Sequence, residues 1–162
     1  MGQGYTYVCK KCGKQYSVMT GIGFLFPQEY KQTMKKIAEG KQGRKRQELF
    51  KKIPFLAVDA ENYYYECENC GSWSVEQGLD LYEPKDEEKI KKKQYGEETV
   101  EEWGEAPYVD GYQLKTEYVL IDRYEHKCPK CHSIMKKNAR RKIISCPECG
   151  TRNRPAEDVL WD

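Results

Sequence analysis

The eight cysteines of this chain fall into four Cys-x-x-Cys pairs with none left over: Cys9/Cys12, Cys67/Cys70, Cys128/Cys131 and Cys146/Cys149. A pair at this spacing closes a tight turn whose backbone N–H groups point at the sulfurs. Two such turns facing each other supply four thiolates, the tetrahedral set that zinc prefers. Disulfides are the competing use of paired cysteines. The opening residues, Met1-Gly2-Gln3-Gly4-Tyr5, show no basic region followed by an apolar run, so no secretion signal is read. The expectation is a reducing, cytoplasmic setting in which the pairs hold metal. No run of about 18 apolar residues occurs to span a membrane.

Composition makes the metal a structural need. Hydrophobic residues are 38% of 162 and charged residues 33%. That leaves little apolar mass for a large core, and small modules of this kind need staples. The 13 tyrosines can pack around small metal centres. The formal net charge of +2 gives no general polycation to attract nucleic acid, so the local distribution has to be read.

Along the chain, Tyr5-Thr6-Tyr7-Val8 reads as a strand into the first knuckle and Gln15-Tyr16-Ser17-Val18 as a strand out of it. Pro27 opens a helix on which Tyr30, Met34, Ile37 and Ala38 share one face, a stripe suited to core packing. Gly40 is its stop, and a second helical segment over 41–52 ends before Pro54. Tyr63 to Glu66 leads into the second knuckle and Trp73 to Val75 leaves it. Residues 86–93 suit a short helix, acids first and lysines last. Tyr118 to Glu125 reads as a strand toward the third knuckle. Ile134 to Lys136 and Lys142 to Ile144 read as two hairpin strands, with Lys137 to Arg140 at the tip. The apolar residues of the tail, Val159 to Trp161, suggest that it docks.

The knuckles resemble those of the zinc-ribbon class of folds. Gly13, Gly71 and Gly150 after the second cysteine fit its pattern, and His132 departs from it. The resemblance covers the four knuckles and implies metal and fold without implying an activity. The expected fold class is α+β: two small four-cysteine zinc-ribbon modules of short antiparallel strands, the first with a helical insertion between its knuckles. The expected divisions are a first ribbon over 1–82 with its insertion at about 27–53, an acidic connector over 83–115, and a second ribbon with the C-terminal tail over 116–162. Sequential pairing of the knuckles gives Cys9/Cys12/Cys67/Cys70 and Cys128/Cys131/Cys146/Cys149. The short hairpin dictates the second set and the first follows by elimination, unless sites form between chains. Two zinc ions per chain are expected; four cysteines also bind iron, as in rubredoxin, and ligand identity does not separate the two metals.

Four thiolates make a closed site, and a catalytic zinc keeps an open position, so no enzyme is expected. No nucleophile–base set or phosphate-binding loop stands out, and His126 and His132 read as residues at the knuckle edge. The candidate contact surface is basic. Residues 127–154 hold nine Lys/Arg against Glu148 alone, with Lys136, Lys137, Arg140, Arg141 and Lys142 crowding the hairpin tip. Arg44, Lys45 and Arg46 form a second cluster in a segment, 31–52, of net charge +7. Residues 83–110 carry a net −5 and read as a solvated or shielding face. A basic finger of this kind can track a phosphate backbone, so nucleic acid is the expected partner. The alternative is a protein adaptor or inhibitor with purely structural metal, using Phe24, Phe26, Trp73 and Trp103 as anchors.

Overall fold

The computed structural model describes residues 2–95, 108–138 and 142–161. Its elements are short, as the scarcity of apolar runs requires. In chain order they are β1 (Gly2–Val8), β2 (Gln15–Thr20), α1 (Phe26–Ala38), α2 (Arg44–Lys52), β3 (Ala57–Val58), β4 (Asn62–Glu66), β5 (Trp73–Gln77), β6 (Leu81–Pro84), α3 (Glu87–Tyr95), α4 (Gly111–Glu117), β7 (Tyr118–Asp122), β8 (Lys136–Lys137), β9 (Ile144–Ser145), β10 (Arg152–Asn153) and β11 (Glu157–Trp161). All described strand pairs are antiparallel. The class is α+β. No helix among the described residues is long and apolar enough to cross a membrane.

The chain divides into two compact units, each assembled from separated stretches. A cysteine unit takes residues 1–24, 62–77 and 125–162, and a helical unit takes 25–61 and 78–124. The grouping differs from the contiguous segments 1–82, 83–115 and 116–162. All eight cysteines belong to the first unit, and both helical stretches lie in sequence between knuckles.

In the cysteine unit, β1 sits between β11 and β2. The tail is docked as expected, with Gly2 opposite Trp161 and Thr6 opposite Glu157. A second sheet runs β5-β4-β8, and β9 pairs with β10. Here the structure corrects the expected hairpin. Residues 136–137 pair with Tyr65 and Glu66 of β4, and residues 144–145 pair with 152–153, so the two halves of the supposed hairpin go to different partners. The apolar core is small. Tyr7, Val18, Tyr64 and Ile144 are buried together under Tyr5, Tyr16, Trp73 and Val75. A second cluster is half cysteine: Tyr65 and Met135 with Cys67 and Cys128. At about 1.5–3 kcal/mol per fully buried large apolar side chain, so few residues cannot offset the ordering of the unit's backbone.

The helical unit has a more ordinary interior. Helix α1 carries its proline in the first turn, ends one residue before Glu39, and is followed by Gly40 at φ +76°. Its buried face is Phe26, Tyr30, Thr33 and Ile37, with Met34 and Ala38 half-buried at its margin. Strand β6 lies between β3 and β7. Helix α4 begins with a reciprocal cap: Gln113 N–H donates to Asp110 Oδ1 at 2.8 Å, and Asp110 N–H donates to Gln113 Oε1 at 3.0 Å. Arg46, only 5% exposed, pairs with Asp122 at 2.9 Å, donates to the Leu79 carbonyl, and lies over the Tyr124 ring. Burial lowers its pKa, and the Asp122 carboxylate opposes that shift. The acidic run at 97–105, with Val100 and Trp103, lies outside the described residues.

Candidate metal centres

The four knuckles share one backbone design. In each, the N–H of the first cysteine donates to the carbonyl five residues on: Cys9 to Lys14, Cys67 to Ser72, Cys128 to Ser133 and Cys146 to Thr151, all at 2.8–2.9 Å. The N–H of the residue after the second cysteine donates back to the first cysteine's carbonyl, from Gly13, Gly71, His132 and Gly150. That return bond requires a left-handed residue. Gly13, Gly71 and Gly150 have φ of +72° to +73°, and nothing lies within 4 Å of where a Cβ would stand. The glycines are there for the backbone and not for space. His132 adopts the same conformation at φ +59°. The third knuckle is therefore a full knuckle, held at a conformational cost of about 1 kcal/mol that glycine avoids.

Opposed in pairs, the knuckles form two groups of four sulfurs. Cys9, Cys12, Cys146 and Cys149 make an outer cluster, and Cys67, Cys70, Cys128 and Cys131 an inner one; in each, the ligand atoms all lie within 4.8 Å of one another. This corrects sequential pairing. The knuckles are nested, first with fourth and second with third. The nearest sulfur pairs are Cys9–Cys149 at 3.5 Å and Cys12–Cys146 at 3.6 Å, and Cys67–Cys131 at 3.4 Å and Cys70–Cys128 at 3.6 Å. A tetrahedron with metal–sulfur bonds of about 2.3 Å has sulfur–sulfur edges of about 3.8 Å. The separations suit a metal, and they are far longer than the roughly 2.05 Å of a disulfide; all eight cysteines are free. No histidine belongs to either group. His126 is buried against the Tyr65 ring at 4.1 Å, and His132 serves the knuckle backbone.

Contacts distant in sequence bring the fourth knuckle to the first. Asn153, 3% exposed, accepts from Lys10 N–H at 3.2 Å and donates to Tyr16 Oη at 3.2 Å and to the Thr151 carbonyl at 2.8 Å. Tyr16 donates to the Ile144 carbonyl, Tyr7 to the Lys142 carbonyl, and Trp73 Nε1 to the Ser145 carbonyl. Tyr7 stacks on Tyr16 at 5.0 Å, and burial raises its pKa to about 12. The sequence marked Tyr7 and Tyr16 only as strand residues and did not mark Asn153. A lone asparagine beyond a knuckle carries no signal of the carbonyl it will meet.

The thiols of the metal-free chain do not titrate alike. The Ser133 hydroxyl, then the Asn69 side chain and the Ser133 N–H, lower Cys131 to about 5. Ser72 lowers Cys70 and Thr151 lowers Cys149, through hydroxyl and backbone N–H together. The Cys12 N–H does most to bring Cys9 down to about 6. At Cys12 the Lys14 N–H pulls downward but burial and the neighbouring sulfurs prevail, raising it to about 12. Cys67 rises to about 11, because burial and Cys131 outweigh the Cys70 N–H. Four sulfurs this close cannot all ionise without a cation between them.

The basic residues are placed less uniformly. Lys136 pairs with Glu68 at 2.8 Å, Lys137 stands over the Tyr63 ring at 3.1 Å, and Lys142 pairs with Asp158 at 3.3 Å. Lys136 and Lys137 join Asn138, Arg152, Glu66, Glu68 and Cys67 around a cleft of about 530 Å³. Arg140 and Arg141 lie outside the described residues. In the helical unit, Arg44 is exposed and pairs with Glu48, and Lys45 pairs with Asp122. Arg46 is buried, which takes it out of the candidate contact set. Of the suggested apolar anchors, Phe24 is 80% exposed, Phe26 is buried and Trp73 packs on the core of the cysteine unit.

No protein-family model, curated protein or solved structure matches the chain. What the chain does must therefore be argued from its own two clusters, each able to hold a metal ion in a zinc-ribbon-like set of four cysteines.

Proposed function

We propose that the chain is a non-catalytic zinc protein that binds two zinc ions as structural staples and uses the cysteine unit to bind nucleic acid. The observation that carries the metal part is the complete set of four cysteines in each cluster. Thiolate sets suit zinc, and a fourth protein ligand leaves no position for water or substrate. Iron is the competing metal, and a coloured protein would favour it. Nested pairing, with ligands drawn from the two ends of the unit, ties folding to metal binding.

The nucleic-acid part is supported by Lys136, Lys137 and Arg152, which reach one polar cleft from two different strands. Glu68 and Glu66 hold Lys136 and Arg152 in place and lower the net charge, which points to modest affinity with a clear salt dependence. Anisotropy of labelled single- and double-stranded DNA and RNA, at low and physiological salt, tests this. Lys136→Ala with Lys137→Ala is expected to weaken binding and to reduce the salt slope by about one for each phosphate no longer neutralised. Binding unchanged in that variant would sink the assignment. A protein-adaptor role is favoured by one observation, the exposure of Phe24. It would show as a stoichiometric complex that Phe24→Ala dissolves.

A further inference from the structure

The residue two places after each knuckle's second cysteine is Lys14, Ser72, Ser133 and Thr151 in turn. Three of these bring a hydroxyl to the adjacent sulfur. In the metal-free chain the Cys70 thiol donates to Ser72 Oγ at 3.2 Å and the Cys149 thiol to Thr151 Oγ1 at 3.3 Å; once the sulfurs are thiolates, the hydroxyl is the donor left in each pair. Ser133 bonds Cys131 through its side chain. Lys14 cannot do this with a hydroxyl, and its ammonium pairs with Glu148 at 3.3 Å. Cys12 and Cys70 are the two exposed cysteines, while the first cysteine of every knuckle is buried. Cys12 thus combines exposure with the absence of a hydroxyl donor. A hydrogen bond donated to a thiolate withdraws charge from the sulfur and lowers its reactivity, whether or not a metal holds it.

We propose that Cys12 is the protein's reactive sulfur, a modification site for peroxides and soft carbon electrophiles that opens the outer cluster and leaves the inner one closed. The proposal rests on the zinc reading. With a peroxide, Cys12 Sγ attacks one oxygen of the O–O bond. That bond breaks, the sulfur is oxidised to a sulfenic acid, and the other oxygen leaves as hydroxide and takes a proton. Cys146 Sγ, 3.6 Å away, then attacks the sulfenic sulfur. The S–S bond forms and the sulfenic oxygen leaves as water. In sum, two thiols and one hydrogen peroxide give one disulfide and two waters, and the outer site loses two ligands. With an electrophile such as iodoacetamide, the Cys12–carbon bond forms and iodide leaves.

The test uses the zinc-loaded full chain. Zinc is counted first, limiting hydrogen peroxide or iodoacetamide is added, released zinc is followed with a chromogenic chelator, and peptide mass spectrometry ranks the cysteines. Cys12 is expected to react about tenfold faster than Cys70, the ratio a charged hydrogen bond of about 1.5 kcal/mol supports, with one zinc released ahead of the other. Lys14→Ser supplies the hydroxyl and should bring Cys12 down to the rate of Cys70. Lys14→Ala, which removes the charge alone, should leave Cys12 fast, and Ser72→Ala should speed Cys70. Two zinc ions with equal rates at Cys12 and Cys70, or Lys14→Ser behaving like Lys14→Ala, would overturn the proposal alone. A starting count below two would overturn the zinc reading and this proposal together.

Discussion

The outer cluster joins sulfurs 134 positions apart in the chain and the inner cluster joins sulfurs 58 apart. By loop-closure entropy that difference is about 0.7 kcal/mol, too little to make one clasp dominant. What separates the clusters is their surroundings. The inner sulfurs sit in a buried patch with Tyr65 and Met135, and two of them meet hydroxyls. The outer sulfurs meet one hydroxyl and are brought together by a buried asparagine and two tyrosine hydroxyls. Two sites of the same ligand set can therefore differ in durability through neighbours that never touch the metal.

The largest expected effect comes from removing a ligand from each site. Cys128→Ser takes a wholly buried sulfur from the patch that is half cysteine, and should lower the thermal midpoint more than Cys146→Ser, by differential scanning calorimetry. Equal midpoints would erase the contrast between the clusters. Next is Asn153→Ala, which strands the Lys10 N–H and frees Tyr16. It should cost about 1–3 kcal/mol and loosen the outer zinc without touching the inner, as read by chelator competition.

Acid should separate the sites hardly at all. A thiol whose folded pKa is lowered contributes fully above the ordinary thiol value and loses that contribution as pH falls through the lowered value. For Cys131 that window runs from 9.0 down to about 5. Each site pairs such a thiol with one of the opposite sign, Cys9 at about 6 with Cys12 at about 12 in the outer cluster and Cys131 at about 5 with Cys67 at about 11 in the inner, so protons find an early target in both. Titrating from pH 7 downward with a zinc indicator should release the two ions in overlapping steps, and a wide separation would contradict the matched thiols. The smallest effect belongs to the knuckle turn. Gly71→Ala forces a Cβ into φ +73° and should cost about 1 kcal/mol. His132→Gly trades relieved strain against added chain entropy and should move stability by less.

Much of this was legible in the chain. Cys-x-x-Cys marked all four knuckles, three of them with the glycine that follows; in the third, His132 takes the left-handed position that closes the return bond to the first cysteine. Pro27 and Gly40 bracketed the first helix because one tolerates a lost N–H and the other a positive φ. The apolar tail announced that it docks, but not that its partner is β1. The partner of each knuckle was not legible. The segment between the third and fourth knuckles has the length of a hairpin, and nothing local says that Lys136 and Lys137 will pair with Tyr65 and Glu66. That choice is made by Tyr7, Tyr16, Trp73 and Asn153 meeting carbonyls and side chains across spans of 72 to 143 positions. Charge runs misled for a related reason. Arg46 looks like a surface cation in a basic segment, but Asp122, 76 positions away, takes it into the interior.

Nested pairing is the central claim, and two double variants test it most directly. Native mass spectrometry would count zinc in Cys12→Ser/Cys149→Ser and in Cys12→Ser/Cys70→Ser. With first-to-fourth and second-to-third pairing, the former loses both changes from one cluster and keeps one zinc in an intact inner site, while the latter damages both sites. With sequential pairing the outcomes exchange: the Cys12/Cys70 variant would keep one firmly held zinc and the Cys12/Cys149 variant would hold neither firmly. That second pattern would contradict the fold of the cysteine unit as described.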